Sequence, residues 1–318
     1  MKSFVINAND AGQRLDKFVV KAAPMLPKAL MYKYIRIKRI KVNGKRCEIS
    51  TRLTENDTVD MYIGDEFFES KAPKYDFLSA SGTVRVVYED DNILVADKPQ
   101  GLLCHPDGNE YGDTLISRIQ RYLFEKGDYR PDDENTFKPA LCNRIDRNTG
   151  GLVIAAKNAE ALREMCDRIK SREITKKYLA AIHGVPKKKS GELMSFLEKN
   201  EDKNMVFLHN APTDDTKTAK LRYRVVAAGD DISLCDIELL TGRTHQIRAQ
   251  MSGIGHPLLG DGKYGTGGKD KKNGFDRQAL YSYYLRFDFS DGPLAYLYGK
   301  ELKAEKVWFA EELFGYRI

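Results

Sequence analysis

No apolar run in this 318-residue sequence approaches the roughly 20 residues that a membrane-crossing helix needs, so a bilayer-spanning chain is not expected. Met1 to Asp10 lacks a charged segment leading into an apolar stretch with a small-residue cleavage site, so no export signal is read and a cytoplasmic location is expected. Cysteine is sparse: Cys47, Cys104, Cys142, Cys166 and Cys235 are odd in number, scattered and without a CxxC pair. That pattern points to reduced thiols in a reducing compartment and away from a zinc site. Neither a GxGxxG nor a Walker phosphate loop occurs, which removes the common signatures of nucleotide cofactors. Acidic residues are missing from one stretch altogether. Between Lys28 and Arg46 there are eight Lys or Arg and no Asp or Glu, although the whole chain carries only +6.

What is present is a soluble globular balance, 42% hydrophobic and 31% charged, in a chain long enough for more than one unit. The acid-free stretch has structure of its own. Leu15, Phe18, Val19 and Ala22 recur at helical spacing after Gly12, and Leu30, Tyr34 and Ile37 repeat it after Pro27. Ile40 and Val42 then alternate into Asn43-Gly44, a two-residue hairpin signal. Two short helices feeding a basic hairpin would gather Lys33, Arg36, Lys38, Arg39, Lys41 and Lys45 on one surface suited to phosphates. Arg14-Leu15-Asp16-Lys17-Phe18 and Lys41-Val42-Asn43-Gly44-Lys45, with the basic helix between them, resemble the alpha-L RNA-binding domain of a small-subunit ribosomal protein and many RNA-modifying enzymes. The resemblance implies RNA backbone binding by the second helix and hairpin.

Residues 1–66 are therefore read as a small α/β RNA-binding domain, 67–82 as a linker containing Lys71-Ala72-Pro73-Lys74 and Ser79-Ala80-Ser81-Gly82, and 83–318 as one large domain. Strands are expected at Val84–Tyr88, Ile93–Ala96, Gly151–Ala156, Tyr178–Ile182, Lys220–Val226, Leu234–Leu239 and Tyr283–Phe289, with helices at Thr114–Phe124 and Ala159–Lys170. Strands outnumber helices without alternating with them, which argues α+β. Gly265 to Gly274, rich in Gly and Lys, reads as a surface loop.

Three segments could carry chemistry. Ile93 to Ala96 runs through Asp97 into Lys98-Pro99-Gln100-Gly101, a sharp exit from a strand. In Asn143-Arg144-Ile145-Asp146-Arg147-Asn148-Thr149-Gly150-Gly151 a carboxylate sits between two arginines before an apolar strand. A guanidinium within a few ångströms favours the ionised, nucleophilic form of such a group. Thr241-Gly242-Arg243-Thr244-His245-Gln246-Ile247-Arg248 packs donors suited to phosphate and base contacts behind a Gly-led turn, and Gly255-His256-Pro257 follows. His245 and His256, eleven apart, fit no helix face, so neither is read as a metal ligand; His256 is expected to make a structural hydrogen bond.

In this order the three segments resemble the RluA-type pseudouridine synthases, from about Val84 to Phe289. The resemblance implies a pseudouridine synthase fold with a central mixed, mainly antiparallel sheet, and a reaction without cofactor. It implies Asp146 as the essential aspartate. Tyr178, in Lys176-Lys177-Tyr178, is implied to stack on the base and is a candidate for removing the C5 proton. Arg248 is implied to pair with the aspartate, and Arg144 to wedge into RNA where a uridine leaves. Arg243, His245 and Gln246 are expected to contact RNA. Asn143 stands where the pattern has His, and Gly150 where it has Ser, and both are expected on the RNA-facing loop. Ribosomal RNA of the large subunit is the expected substrate, with transfer RNA as the alternative, and the enzyme is expected to act as a monomer. Two other readings compete: a non-catalytic RNA-binding protein, and an aspartate-nucleophile hydrolase of a small metabolite. The first leaves the large domain unexplained, the second leaves the Lys28–Arg46 cations unexplained.

Overall fold

In the computed structural model, which describes residues 1–69, 74–107, 112–200, 205–265, 268–272 and 274–318, the N-terminal segment builds its own core. β1 (Lys2–Val5), β2 (Ile40–Val42) and β3 (Thr58–Met61) form an antiparallel sheet in the order β1-β3-β2. Helix α1 (Leu15–Ala22) buries Leu15, Phe18 and Val19 against it, as their spacing predicts. Helix α2 (Lys28–Arg36) turns inward a face one residue away from the expected one: Met31 and Ile35 are buried, Leu30 and Tyr34 half-buried, and Ile37 is exposed past the helix end. Both sets satisfy helical spacing, and the sheet selects between them. Asn43 and Gly44 adopt φ of 51° and 70°, the positive values of a type I′ reversal, closed by the Val42 and Lys45 backbone bonds of 3.2 and 2.9 Å. The turn forms but the hairpin does not propagate: β2 pairs with β3, with Val42 opposite Val59.

The expected linker is anchored at both ends. Phe67 and Phe68 pack on the N-terminal core, while Phe77 is buried in the second unit, edge-on to Phe124 with ring centroids 5.7 Å apart. Lys71, Ala72 and Pro73 lie outside the described residues.

Among the described residues the second unit has eleven strands in one sheet. In chain order the elements are β4 (Val86–Glu89), β5 (Ile93–Lys98), α3 (Leu115–Lys126), β6 (Ala140–Leu141), β7 (Gly150–Ala156), α4 (Ala159–Ser171), β8 (Ile174–His183), β9 (Ser190–Asn200) and β10 (Met205–His209). There follow β11 (Lys217–Ala228), β12 (Ile232–Leu239), α5 (Gln246–Gly253), α6 (Gly268–Lys272), β13 (Leu280–Phe287), β14 (Glu301–Lys303) and α7 (Trp308–Phe314). The strand order is β10-β9-β11-β12-β8-β13-β7-β5-β4, with β14 on β13 and β6 on β7. The β13–β7 pair is parallel and every other described pair antiparallel, the mixed sheet of an α+β fold.

Alternation explains the apolar runs. Leu94, Ala96, Val153, Ala180 and Ile237 face one core, closed by α3 and α5; Ile93, Val95, Leu152, Leu179 and Leu234 face the other, closed by α4 and α7. Thr114 caps α3 by accepting from Ser117 N–H at 3.3 Å. The expected loop at 265–274 holds α6 instead; residues 266, 267 and 273 lie outside the described residues. Asp270 of this helix is buried against His183 Nε2 at 2.9 Å. A polar seam joins the two units. Buried Asp10 accepts from Asn135 at 2.8 Å, Asn9 donates to Glu134 at 2.6 Å, and Asn9 Oδ1 accepts from Ala159 N–H at the start of α4 at 2.9 Å.

Candidate active site

Asp146 occupies a turn that ends where β7 begins, closed by Thr149 N–H on the Asp146 carbonyl at 3.1 Å. The exit from this turn needs glycine. Gly151 has φ +114°, and a Cβ there would lie 2.2 Å from the Ser282 carbonyl oxygen, because β13 runs alongside in parallel. A Cβ of Gly150 would come 2.4 Å from the Tyr281 ring and 3.2 Å from Gln100 Cγ. Here the space that the resemblance gives to a serine side chain is filled by Tyr281 and Gln100.

The Lys98-Pro99 exit holds this turn from below. Lys98, fully buried, donates to the carbonyls of Pro99, Leu102 and Arg147 at 3.0, 2.7 and 2.9 Å. Burial pulls its ammonium down to about 8, against the pull of Asp146 and Asp97. Gln100 adds a second tie, donating to Asn148 O at 3.1 Å while its own carbonyl accepts from Trp308 Nε1 at 3.0 Å. Sequence reasoning saw only a turn here; a lysine placed at the end of an apolar strand was the available signal.

The flanking arginines do not serve the carboxylate as expected. Arg147 donates to Gly101 O at 3.1 Å, and Arg144 is exposed at the pocket edge. The guanidinium beside Asp146 comes from α5: Arg248 Nη1 lies 3.0 Å from Asp146 Oδ2. Nor is Asp146 the buried member. Its side chain is 25% exposed, whereas that of Arg248 is 6% exposed. Burial disfavours the Arg248 charge, but a two-pronged bond to fully buried Asp261, 2.7 and 2.9 Å, together with Asp146, outweighs it. Burial likewise opposes the Asp261 charge, yet Arg248 and the Lys263 and Tyr264 amides hold its carboxyl below the usual range. Asp261 lies thirteen residues from its partner and gives no periodic signal in the sequence.

Tyr178 of β8 is buried in the same pocket, opposite Ser282 of β13 where the ladder carries a bulge. Burial pushes its phenol up to about 12, against a hydrogen bond from Ser282. It is a protonated ring near neutrality, which suits stacking better than acting as the resting base. His245, the N-cap of α5 at φ 52°, places Nε2 3.8 Å from Asp146 Oδ2. Gln246 is turned inward: its carbonyl accepts from Thr241 Oγ1 and Arg243 N–H at 2.8 and 3.1 Å, and its amide donates to Lys220 O at 3.0 Å. These bonds brace the loop. Arg243 is exposed and donates to Thr218 O at 3.0 Å. Asn143 accepts from Ile154 N–H at 2.8 Å and so pins β7 rather than facing outward alone. His256 bonds the His183 carbonyl at 2.8 Å. No cluster of three metal-ligating side chains occurs among the described residues.

The pocket between these groups has a volume of about 160 Å³ and opens beside a groove of about 700 Å³ that shares Arg144, Lys176 and Arg243 and adds Lys170, Arg172 and Lys220. In the N-terminal unit, Lys33 and Arg36 join Arg46 along a separate groove of about 870 Å³. Lys38, Arg39 and Lys45 are exposed nearby, and Lys41 is half-buried. Arg39 lies over Tyr34 at 5.5 Å and Lys41 over Tyr62 at 5.2 Å.

The RNA pseudouridylate synthase family profile matches residues 92–253, and the S4 domain profile matches 13–59. The chain belongs to the RNA pseudouridylate synthase family. An uncharacterized RNA pseudouridine synthase of Mycoplasma genitalium is 30% identical over 290 residues, 89% of this chain and 88% of the relative. Ribosomal large subunit pseudouridine synthase C of Haemophilus ducreyi is 29% identical, covering 90% and 87%. Among solved structures, human RNA pseudouridylate synthase domain containing 4 shares the fold with a TM-score of 0.56 at 20% identity, over 72% of this chain and 91% of that one. This pseudouridine synthase therefore joins an S4 RNA-binding domain to a catalytic sheet, and no described helix is long and apolar enough to cross a membrane.

Proposed function

We propose that this synthase isomerises uridines of large-subunit ribosomal RNA in the cytosol, as a monomer, with Asp146 as covalent catalyst on a flipped-out base. The observation that carries the reading is the Asp146 carboxylate, partly exposed at the mouth of a pocket and fixed by a buried guanidinium 3.0 Å away. The reaction breaks the N1–C1′ bond, turns the ring and forms C5–C1′; the C5 proton leaves and N1 takes one up, so the sum is an isomerisation. It has no redox or phosphoryl step, so the chain's own groups suffice.

A pocket of about 160 Å³ is small beside the roughly 300–1,000 Å³ that encloses a drug-sized ligand, and its scale fits one base taken out of the stack. Unstacking costs a few kcal/mol, which phosphate contacts in the adjoining basic groove and a wedge at exposed Arg144 offset. Tyr178 supplies a face for the ring, worth about 1–3 kcal/mol. With Oδ2 engaged by Arg248, the second carboxylate oxygen serves one of three routes: addition at C1′, addition to the ring, or removal of the C2′ proton. The relative named for the large ribosomal subunit supports a ribosomal substrate over transfer RNA, and the S4 domain supports an RNA substrate in general. The test is pseudouridine mapping of ribosomal RNA from a strain lacking the protein, complemented by wild type or by Asp146→Asn. A missing pseudouridine restored only by wild type supports the reading; an unchanged map overturns it.

A further inference from the structure

Arg248 engages only Oδ2 of Asp146, and a second side chain approaches the same oxygen. The His245 ring is almost enclosed, its side chain 9% exposed, with Nε2 3.8 Å from Oδ2. Its other nitrogen, Nδ1, lies 3.0 Å from the Tyr264 hydroxyl. That hydroxyl already accepts the Val206 N–H from β10 at 2.7 Å. With one acceptor site of the hydroxyl taken by Val206, its proton is free to point at Nδ1, and that arrangement puts the imidazole proton on Nε2. Tyr264 is itself fixed, edge-on to the His245 ring at 5.6 Å and under the Arg248 guanidinium at 5.2 Å.

The geometry points to His245 as a positioning residue: a neutral imidazole, its tautomer set by Tyr264, directs Nε2–H at Asp146 Oδ2 and holds the second carboxylate oxygen toward the base. The inference rests on Asp146 being the reacting acid, and it moves His245 from RNA contact to orientation of the catalyst. The charged and titratable groups around the ring are Asp146, Arg248, Lys263, Asp261 and Tyr264. Burial lowers the His245 pKa from its ordinary value, which agrees with a neutral ring. At 3.8 Å the imidazole stands just outside hydrogen-bond reach of Oδ2; closing that gap would hold the oxygen from two sides and fix the carboxylate plane, where small angular errors in a reacting group are costly.

His245 sits at φ 52°, in the left-handed region, and this makes the substitutions discriminating. Asparagine tolerates that backbone better than glutamine does. Glutamine, however, can place its amide N–H near the position of Nε2, while asparagine reaches only the position of Nδ1. A purely structural role predicts that His245→Asn outperforms His245→Gln. The present inference predicts the reverse: kcat within about 5-fold of wild type for Gln and down about 100-fold for Asn, with KM unchanged. Tyr264→Phe, which releases the tautomer, falls between them.

Turnover is measured on ribosomal RNA from a strain lacking the protein, with Asp146→Asn in parallel. If Asn matches or exceeds Gln, or if KM moves while kcat stands, the inference is overturned. Activity surviving in Asp146→Asn overturns the parent reading instead. Should the His245 variants fail to fold, nitrogen-15 shifts of the wild-type ring decide the matter: a proton on Nε2 supports the inference, a proton on Nδ1 ends it.

Discussion

Arg36 and Arg248 both lie on short helices, yet one stands in solvent on the N-terminal unit and the other is 6% exposed between two carboxylates. Around Arg36 the cations face outward, a placement suited to salt-dependent attraction of phosphates that fixes no atom. Around Arg248 the charge is enclosed, tied to Asp261, and acts by holding Asp146 at one distance. On the proposed reading, affinity would come from cations left in water, and geometry from cations taken out of it. Variants in the two regions should separate these effects.

The largest separation is expected for Asp146→Asn, which should lose turnover by more than about 10³-fold while RNA affinity stays within about 3-fold, read by pseudouridine formation and filter binding. Arg248→Met should be costlier to the fold, by about 3–5 kcal/mol in urea unfolding, because it strands the buried Asp261 charge. Asp261 carries a pH signature. Its folded carboxyl lies below the ordinary value near 3.8, so its stabilisation is present above that pH and is lost as pH falls through the folded value. The gap in urea midpoint between wild type and Asp261→Asn should therefore be full at pH 7 and shrink below about pH 4. A gap that widens in acid would reverse the assignment.

Lys98→Met should cost about 2 kcal/mol by leaving the Pro99 and Leu102 carbonyls without their donor, and should lower kcat through the Asp146 turn without moving KM. The smallest effect on chemistry is expected from Lys33, Arg36 and Arg39 changed together to Ala: kcat unaltered, weaker binding, and a salt slope reduced by about 2–3 units. Removing residues 1–64 should go further in the same direction, weakening RNA binding and loosening site choice while Asp146 remains active.

The strands from Ile93 to His183 were readable because both faces of the sheet are covered, so their apolar runs are nearly continuous. β9 escaped for the opposite reason. Of its eleven residues only Leu197 is buried, so SGELMSFLEKN shows little pattern. α5 read as a Gly-led turn because its enclosed residues include Gln246, Arg248 and Gln250, and hydropathy marks such residues as exterior. Within the site, nothing in local sequence links Asp146 to a guanidinium 102 residues away; only the family resemblance joined them. Asp261 and Tyr264 stayed hidden because their partners are chosen by tertiary packing. Gln246 is expected outward by its residue type and Asn143 by its place in the resembled motif, whereas the fold ties both side chains to its own backbone.

Trp308 is the single tryptophan of the chain, and its indole N–H ends on the glutamine that holds the Asn148 carbonyl, two residues from Asp146. Its ring also stacks on Phe275 at 6.1 Å. Excited at the red edge, where tyrosine no longer absorbs, the intrinsic fluorescence thus has one emitter, tied to the backbone of the turn that carries Asp146. Titrating RNA and following that emission gives an optical record of how the turn responds to substrate, with no label attached.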